Sequence, residues 1–410
     1  MNTSVINRLS FTNFTSILPK PDNVYAFNPT IAHYKDDLYI CAFRGFVRYP
    51  NLHQVGDSYN YSKDPYSDPN HPWLGGDASS VWWKKSYGDD TTRFCILHIT
   101  MQEVQSIVRL EKSYENGGAT YWDGSSMVDG KMHGNDARIL RVSETDPVYL
   151  LSYNVWVTDK GTIIRDGKNC TDSCGLIATR VITIAEDMSL VVGDEKILCP
   201  SMSNRVEKNW SFWIHNQNIF FSYGLYPVHD VVSVKIKDNI VNCGKNVGAA
   251  DAVFFQKFTE YYNNKVYVSV TTPAIKINKV YIGIGHIKFK YKNAETEYPA
   301  NSYLVKFVND MKKSGKIFHP MYVYLMFFYA FSSKDATVLG VSPMFLPSSN
   351  TVLCFPSGFC RMKDPDMYLI SYGDADTSCS CFTISEKQLD SILIFSKDLN
   401  PRNVPFLMTS

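Results

Sequence analysis

A chain of 410 residues is ample for one large or two medium domains, and 45% apolar with 20% charged residues excludes a disordered chain. The formal net charge of +1 gives no overall field to hold nucleic acid or an anionic membrane. Aromatic residues are high at 14%, which favours β-structure, where rings pack on a pleated surface, or a site that stacks flat ligands.

The stretch from Met1 to Phe14 lacks a basic region followed by an apolar core, so no secretory signal is predicted and the expected compartment is the cytoplasm. The most apolar run, Met321 to Phe331, is too short to span a bilayer as a helix. The ten cysteines are spread along the chain and are read as buried free thiols. Cys170 and Cys174 lack a second Cys/His pair at finger-like spacing, so no metal site is expected.

One pattern recurs in chain order: a polar turn, then an apolar and aromatic strand ending in a small or aromatic residue. Its copies run over Leu38 to Gly45, Val148 to Val155, Asn218 to Leu225, Val266 to Pro273 and Met367 to Asp374. Apolar strands precede the turns at Thr30 to Tyr34, Ala137 to Val142, Phe212 to Ile214 and Phe355 to Met362. Each unit reads as a β-hairpin. Five such units predict five similar small sheets, and radial repetition of small sheets is a β-propeller. An irregular pair of β-sandwiches would also carry Tyr-rich strands, but it would not require the recurring hairpin.

The expected fold is therefore an all-β, five-bladed propeller filling 1–410 as a single domain, with a long insertion at 49–93 in the first blade. The Tyr49 to Asp90 stretch is rich in Pro, Gly, Asp and Asn and lacks strand periodicity. Its Trp73, Trp82 and Trp83 suggest a lid. A helix is allowed from Asn301 to Ser314. Ser385 with Gln388 three residues later has the form of a helix-starting capping box.

Polar residues gather at or beside the strand starts: Asn28, the segment His133 to Arg138, the segment Glu207 to Trp210, and Asp251. Arg44, His229, His286 and Asp374 end or follow the next strands. Convergence of such residues at an axis is how a propeller builds a site. Each also has a plainer reading: Asp136 as a turn cap, Arg138 in an ion pair, His229 in the core, Asp374 in a turn, Trp122 and Trp210 in packing.

These residues, in this order, resemble the five-bladed propeller enzymes of glycoside hydrolase family 130 and glycosyltransferase family 108. Phe27-Asn28-Pro29 with Arg44 resembles the first-blade opening of those enzymes. Asn135-Asp136-Ala137-Arg138 resembles their Glu-Asp-Pro-Arg segment, with Asn and Ala in place of Glu and Pro. Glu207-Lys208-Asn209-Trp210 resembles a Glu-Lys-Asn-Trp signature, and Tyr226-Pro227-Val228-His229 a Pro-x-His loop. Ile284-Gly285-His286 and Tyr372-Gly373-Asp374 resemble further blade landmarks.

The resemblance implies that Asp136 is the catalytic acid. It implies that Asn28, Arg44, Asn135, Arg138, Glu207, Lys208, Asn209, His229, Asp251, His286 and Asp374 bind substrate. The implied activity is inverting glycosyl transfer to or from a phosphate-bearing donor, with a mannose-related sugar. The implied partners are a sugar or oligosaccharide and phosphate or a nucleotide sugar. No nucleic acid, membrane span, metal or organic cofactor is expected. The alternatives are a hydrolase of the same fold, with Glu207 as second carboxylate, and a non-catalytic glycan-binding propeller. A cleft with limited solvent is expected to raise the Asp136 pKa toward the working pH.

Overall fold

The computed structural model describes residues 3–18, 24–47, 90–100, 104–109, 119–122, 127–130, 132–157, 163–165, 168–170, 174–186, 190–193, 196–198, 209–237, 240–250, 253–314, 322–347, 352–374, 378–395 and 400–408. Among these residues the architecture is all-β, with five large sheets, two two-stranded ribbons and a few short helices. The first sheet orders Val24–Lys35, Leu38–Val47, Asp90–Ile99 and Val104–Arg109 as an antiparallel meander. The second orders Met132–Arg141, Val148–Val157 and Cys174–Ile184, with Leu190–Val192 and Lys196–Leu198 on its outer edge. The third is the meander Ser211–His215, Asn218–Gly224, His229–Lys237 and Ile240–Ala250.

The fourth sheet centres on Val280–Phe289 and Val323–Ser332. The fifth orders Cys354–Arg361, Met367–Asp374 and Ser378–Ser385. Its fourth strand is Phe11–Asn13, from the other end of the chain, with Phe11 opposite Phe382. The sheets touch in cyclic order, first to second and onward to the fifth, which packs on the first.

Strand periodicity explains why these sheets stack. Successive side chains of a strand point to opposite faces. Along Leu38–Val47, Tyr39, Cys41 and Phe43 join Leu369, Cys379 and Cys381 of the fifth sheet. The intervening Ile40 and Ala42 join Ile139, Leu151 and Tyr153 of the second. Both faces are buried, so the strand reads as a continuous apolar run. A further core seals the second and third sheets through Leu150, Ile177, Phe212 and Phe221. The largest unites the third, fourth and fifth through Trp213, Tyr281, Phe331 and Phe359. Cys41, Cys95, Cys354, Cys360, Cys379 and Cys381 are buried free thiols, as the sequence suggested.

The recurring strand is the second strand of its sheet at Leu38, Val148, Asn218 and Met367. The copy at Val266 is misplaced. Val266–Val270 is the first strand of the fourth sheet, and the second is Val280–Phe289. The turn before Val266 follows a helix, Val253–Tyr261, rather than a strand. Helices occur at Tyr303–Lys313, with Ser302 as N-cap, and at Glu386–Ile392, where both bonds of the expected capping box form. The proposed lid lies almost wholly outside the described residues, and strand Asp90–Ile99 already begins within 49–93.

The first strands share one more feature. Register shifts between Phe27 and Thr30, between Asn135 and Arg138, and between Pro356 and Gly358. In the fourth sheet the first strand is split into Val266–Val270 and Ile275–Ile277, both paired with Val280–Phe289. Polar bonds cross between sheets at these irregularities. Ile139 N donates to Thr30 Oγ1 at 3.1 Å. Ala274 N donates to Phe212 O at 2.9 Å, and Ser211 Oγ donates to Thr272 O. Ser357 Oγ and Ser371 Oγ donate to Pro29 O at 2.9 and 2.6 Å.

Candidate functional site

Asn28, Asp136 and Asn209 take left-handed backbone conformations, with φ of 49°, 52° and 62°. Asn and Asp tolerate this region better than other residues with a Cβ, because their short polar side chains bond locally. Each lies at the irregularity of a first strand or immediately before that strand. The bulge bends the chain there and breaks the in–out alternation. Unusual backbone held by surrounding structure is a pointer to a site.

The side chains bear this out geometrically. Asp136 Oδ1 accepts from Asn28 Nδ2 at 2.7 Å and from Arg44 Nη1 at 3.3 Å. Asp136 Oδ2 accepts from Asn154 Nδ2 at 3.4 Å. The carboxylate is thus gripped by two strands of the first sheet and one neighbouring strand of its own. It keeps 18% of its side-chain surface accessible, and Arg44 keeps 20%. Arg44 also lies over the Phe27 ring at 4.9 Å.

Arg138 does not bond the carboxylate. Its Nη1 donates to the backbone oxygens of Asp136 at 2.5 Å and Ala137 at 2.9 Å, and its Nε donates to Thr271 O. Its guanidinium lies over the Phe355 ring at 5.0 Å. Arg138 thereby ties the bulge of the second sheet to the fourth and fifth. Beside it, His286 Nδ1 shares a hydrogen bond with Thr271 Oγ1 at 2.9 Å, and its ring packs against Tyr324 and Phe355. Gly373 abuts Asn28, and a Cβ there would come within 1.9 Å of Asn28 Oδ1. The next residue, Asp374, accepts from Cys354 Sγ at 3.8 Å.

Burial pushes the Asp136 carboxyl up, but the Arg44 and Arg138 charges and the bonds from Asn28 and Arg44 outweigh it. The group is held below the ordinary carboxylate value and is ionised at neutral pH. The raised pKa expected from the sequence is therefore corrected: two guanidiniums dominate the desolvation. Burial lowers Arg138 to about 10, opposed by Asp136, so it remains cationic. Asn28 Oδ1 and Arg138 Nη2 are buried and have no hydrogen-bond partner among the described residues. Leaving buried polar atoms unbonded is costly, and here two fall in one cluster.

Of the residues singled out in the sequence, Asn28, Arg44, Asp136 and Arg138 come together, with His286 adjoining and Asp374 next to Gly373. Asn209 is buried at the corresponding place of the third sheet. His229 does not join them. It is fully buried, with Nδ1 against Ala336 O at 2.6 Å and Nε2 against Ser222 Oγ at 2.7 Å. Both ring nitrogens are used inside the protein, and burial lowers its pKa to about 4, so it supplies no positive charge for an anion. Trp210 is core, stacked on Phe221 at 4.3 Å. Glu207, Lys208, Asp251 and the side chains of Asn135 and Trp122 lie outside the described residues.

Asn154 was missed. Its signal was present in the repeat: Asn154 occupies the place of Arg44 and Gly373, and all three reach this cluster. Among the described residues, no three His, Cys, Asp or Glu side chains form a metal-binding group. No helix of these residues is long and apolar enough to cross a membrane.

The sequence matches no family model and no curated protein. Several solved structures align with most of its length. A glycosyl hydrolase from Bacteroides ovatus is 14% identical, with TM-score 0.46, over 92% of this chain and 94% of that one. A GDP-Man-dependent mannosyltransferase from Leishmania mexicana is 11% identical, with TM-score 0.46, over 92% and 89%. A β-1,2-mannobiose phosphorylase from Listeria innocua is 12% identical, with TM-score 0.45, over 93% and 99%.

Proposed function

We propose that the five sheets are the blades of a five-bladed β-propeller and that the chain is a carbohydrate-active enzyme. In this reading it transfers a glycosyl group with inversion to or from a phosphate-bearing donor. The observation that carries the reading is Asp136: a partly accessible carboxylate, held by Asn28, Arg44 and Asn154, beside two guanidiniums. The ordered motifs that resemble family 130 and family 108 enzymes support it independently.

The charge state suits transfer. An ionised Asp136 accepts the proton of an acceptor hydroxyl as that oxygen bonds the anomeric carbon. The bond from that carbon to the donor phosphate breaks on the opposite face, and the phosphate leaves with the bonding pair. In reverse, phosphate attacks and a protonated Asp136 gives its proton to the departing oxygen. Arrival of the phosphate dianion beside Arg44 and Arg138 offsets their pull on Asp136 and raises its pKa, which favours the protonated form. Arg44, one-fifth accessible, is the donor placed for that anion through charge-assisted hydrogen bonds, and the buried Arg138 adds positive charge behind it.

The test is turnover with sugar 1-phosphates and nucleotide sugars against acceptor sugars, read as phosphate or nucleotide release. Asp136→Asn keeps the shape and removes the titrating proton. Its turnover falls by roughly 10²–10⁴-fold, the usual worth of general acid–base catalysis. Unchanged turnover in the folded variant removes Asp136 from the mechanism. Binding of sugar without any turnover in the wild type favours the glycan-binding alternative.

A further inference from the structure

The first strands have two ends, and only one carries Asp136. Arg141 follows Asp136 by five residues on the same strand, roughly 16 Å farther along at the usual rise. Here the turns of the second and third sheets and the first strands of the first, fourth and fifth surround a cavity of about 1100 Å³. Three cations line it: Arg141, Lys276 and Arg361. Glu144 is the one carboxylate among its lining residues.

None of the three cations forms an ion pair with a carboxylate among the described residues, though Arg361 lies against Tyr368, whose hydroxyl donates to Glu386. Arg141 donates to backbone oxygens of Ser143, Tyr34 and Glu144 at 2.9, 3.1 and 3.2 Å, and contacts His33 Nδ1 at 3.3 Å. Those bonds fix the guanidinium and leave its charge uncancelled. Arg361 donates to the backbone oxygen of Lys276 at 3.4 Å, which draws the two side chains' origins together. The chain as a whole has 41 basic against 40 acidic residues, so an excess of cations in one cavity is not a reflection of overall charge.

We propose that this cavity is an anion site separate from the Asp136 cluster, and that it takes a di- or triphosphate group. The phosphates meet Arg141, Lys276 and Arg361. Cations without carboxylate partners form charge-assisted bonds to phosphate, and Arg suits its geometry. A neutral ligand would not use them.

The experiment is calorimetry with ADP, pyrophosphate and adenosine on the wild type, the Lys276→Met/Arg361→Met double variant, and Arg44→Met. Lys276 and Arg361 are exposed, so the double variant is expected to fold, which its thermal unfolding checks. ADP and pyrophosphate bind the wild type and adenosine does not. The double variant weakens both by about tenfold or more, the scale of losing charged hydrogen bonds. Arg44→Met weakens any binding in the Asp136 cleft, but it leaves the binding event lost in the double variant within about twofold, because bonds at the cavity are untouched. Failure of both anions to bind the wild type, or undiminished binding to the folded double variant, overturns the site. Neither result bears on turnover at Asp136.

Discussion

Asp136 and His229 show one physical rule with opposite outcomes. Both are pressed by burial toward neutrality. Asp136 has two guanidiniums and amide donors beside it, and its charge survives. His229 has only a carbonyl and a hydroxyl, and its charge is suppressed, with a pKa near 4 against an ordinary 6.5. The histidine has a measurable consequence. Between about pH 6.5 and 4 the unfolded chain binds a proton at this position and the folded chain does not, so stability falls as pH is lowered through that window. The contribution is up to about 3 kcal/mol, complete near pH 4 and absent at pH 7. His229→Gln removes the titration. Urea unfolding from pH 7 to pH 4 should show a smaller drop for the variant, even though the variant starts less stable. Equal slopes for the two proteins would show that the ring is already solvated or charged in the fold.

At the scale of the strand, the repeat was legible where a hairpin is regular, and was lost where the first strand is broken. Thr271 to Ala274 interrupt the first strand of the fourth sheet, so its first half looks like a complete second strand. The true second strand is disguised because Gly283 and Gly285 stand where the other copies have an apolar and an aromatic side chain. Packing requires those glycines: a Cβ at Gly283 would lie 2.6 Å from the Tyr329 hydroxyl, and one at Gly285 would lie 2.6 Å from Ser269 O. No single sequence announces such a contact between strands. The site was legible wherever a motif residue stands in the bulge, as at Asn28, Asp136 and Arg138. It was not legible for His229, whose role depends on Ala336 from another sheet. The same logic separates two equivalent glycines. Gly373→Ala would drive a Cβ into Asn28, displacing the amide from Asp136, whereas a Cβ at Gly224 meets nothing nearer than 3.9 Å. Overpacking costs about 1–3 kcal/mol. Urea titration should show that loss for Gly373→Ala, with reduced turnover, and a much smaller loss for Gly224→Ala. Equal behaviour would mean that the wall around Asn28 yields freely.

At the scale of the whole molecule, the cyclic order of sheets is completed by Phe11–Asn13 on the edge of Ser378–Ser385. Thr15 adds a clasp, with its Oγ1 accepting from Cys379 N at 2.7 Å across 364 residues of sequence. Phe11 also packs edge-on against Phe382 and Tyr372. Replacing Phe11 and Thr15 together by Ala removes the clasp and part of the packing while leaving the Asp136 cluster untouched. The expected result is a lower unfolding temperature and faster cleavage by protease near Phe11, with turnover in the intact protein unchanged. A variant as resistant as wild type would show that the other sheet seams suffice. The clasp also sets an order of events in the cell. A ribosome delivers Thr15 long before Cys379 exists, so the early segment must wait, unpaired, through the synthesis of every intervening strand. During that interval the molecule is an open arc with a bare strand edge at its leading end, and contacts so distant in sequence are slow to form. Closure of the cyclic order of sheets therefore waits on this one short segment.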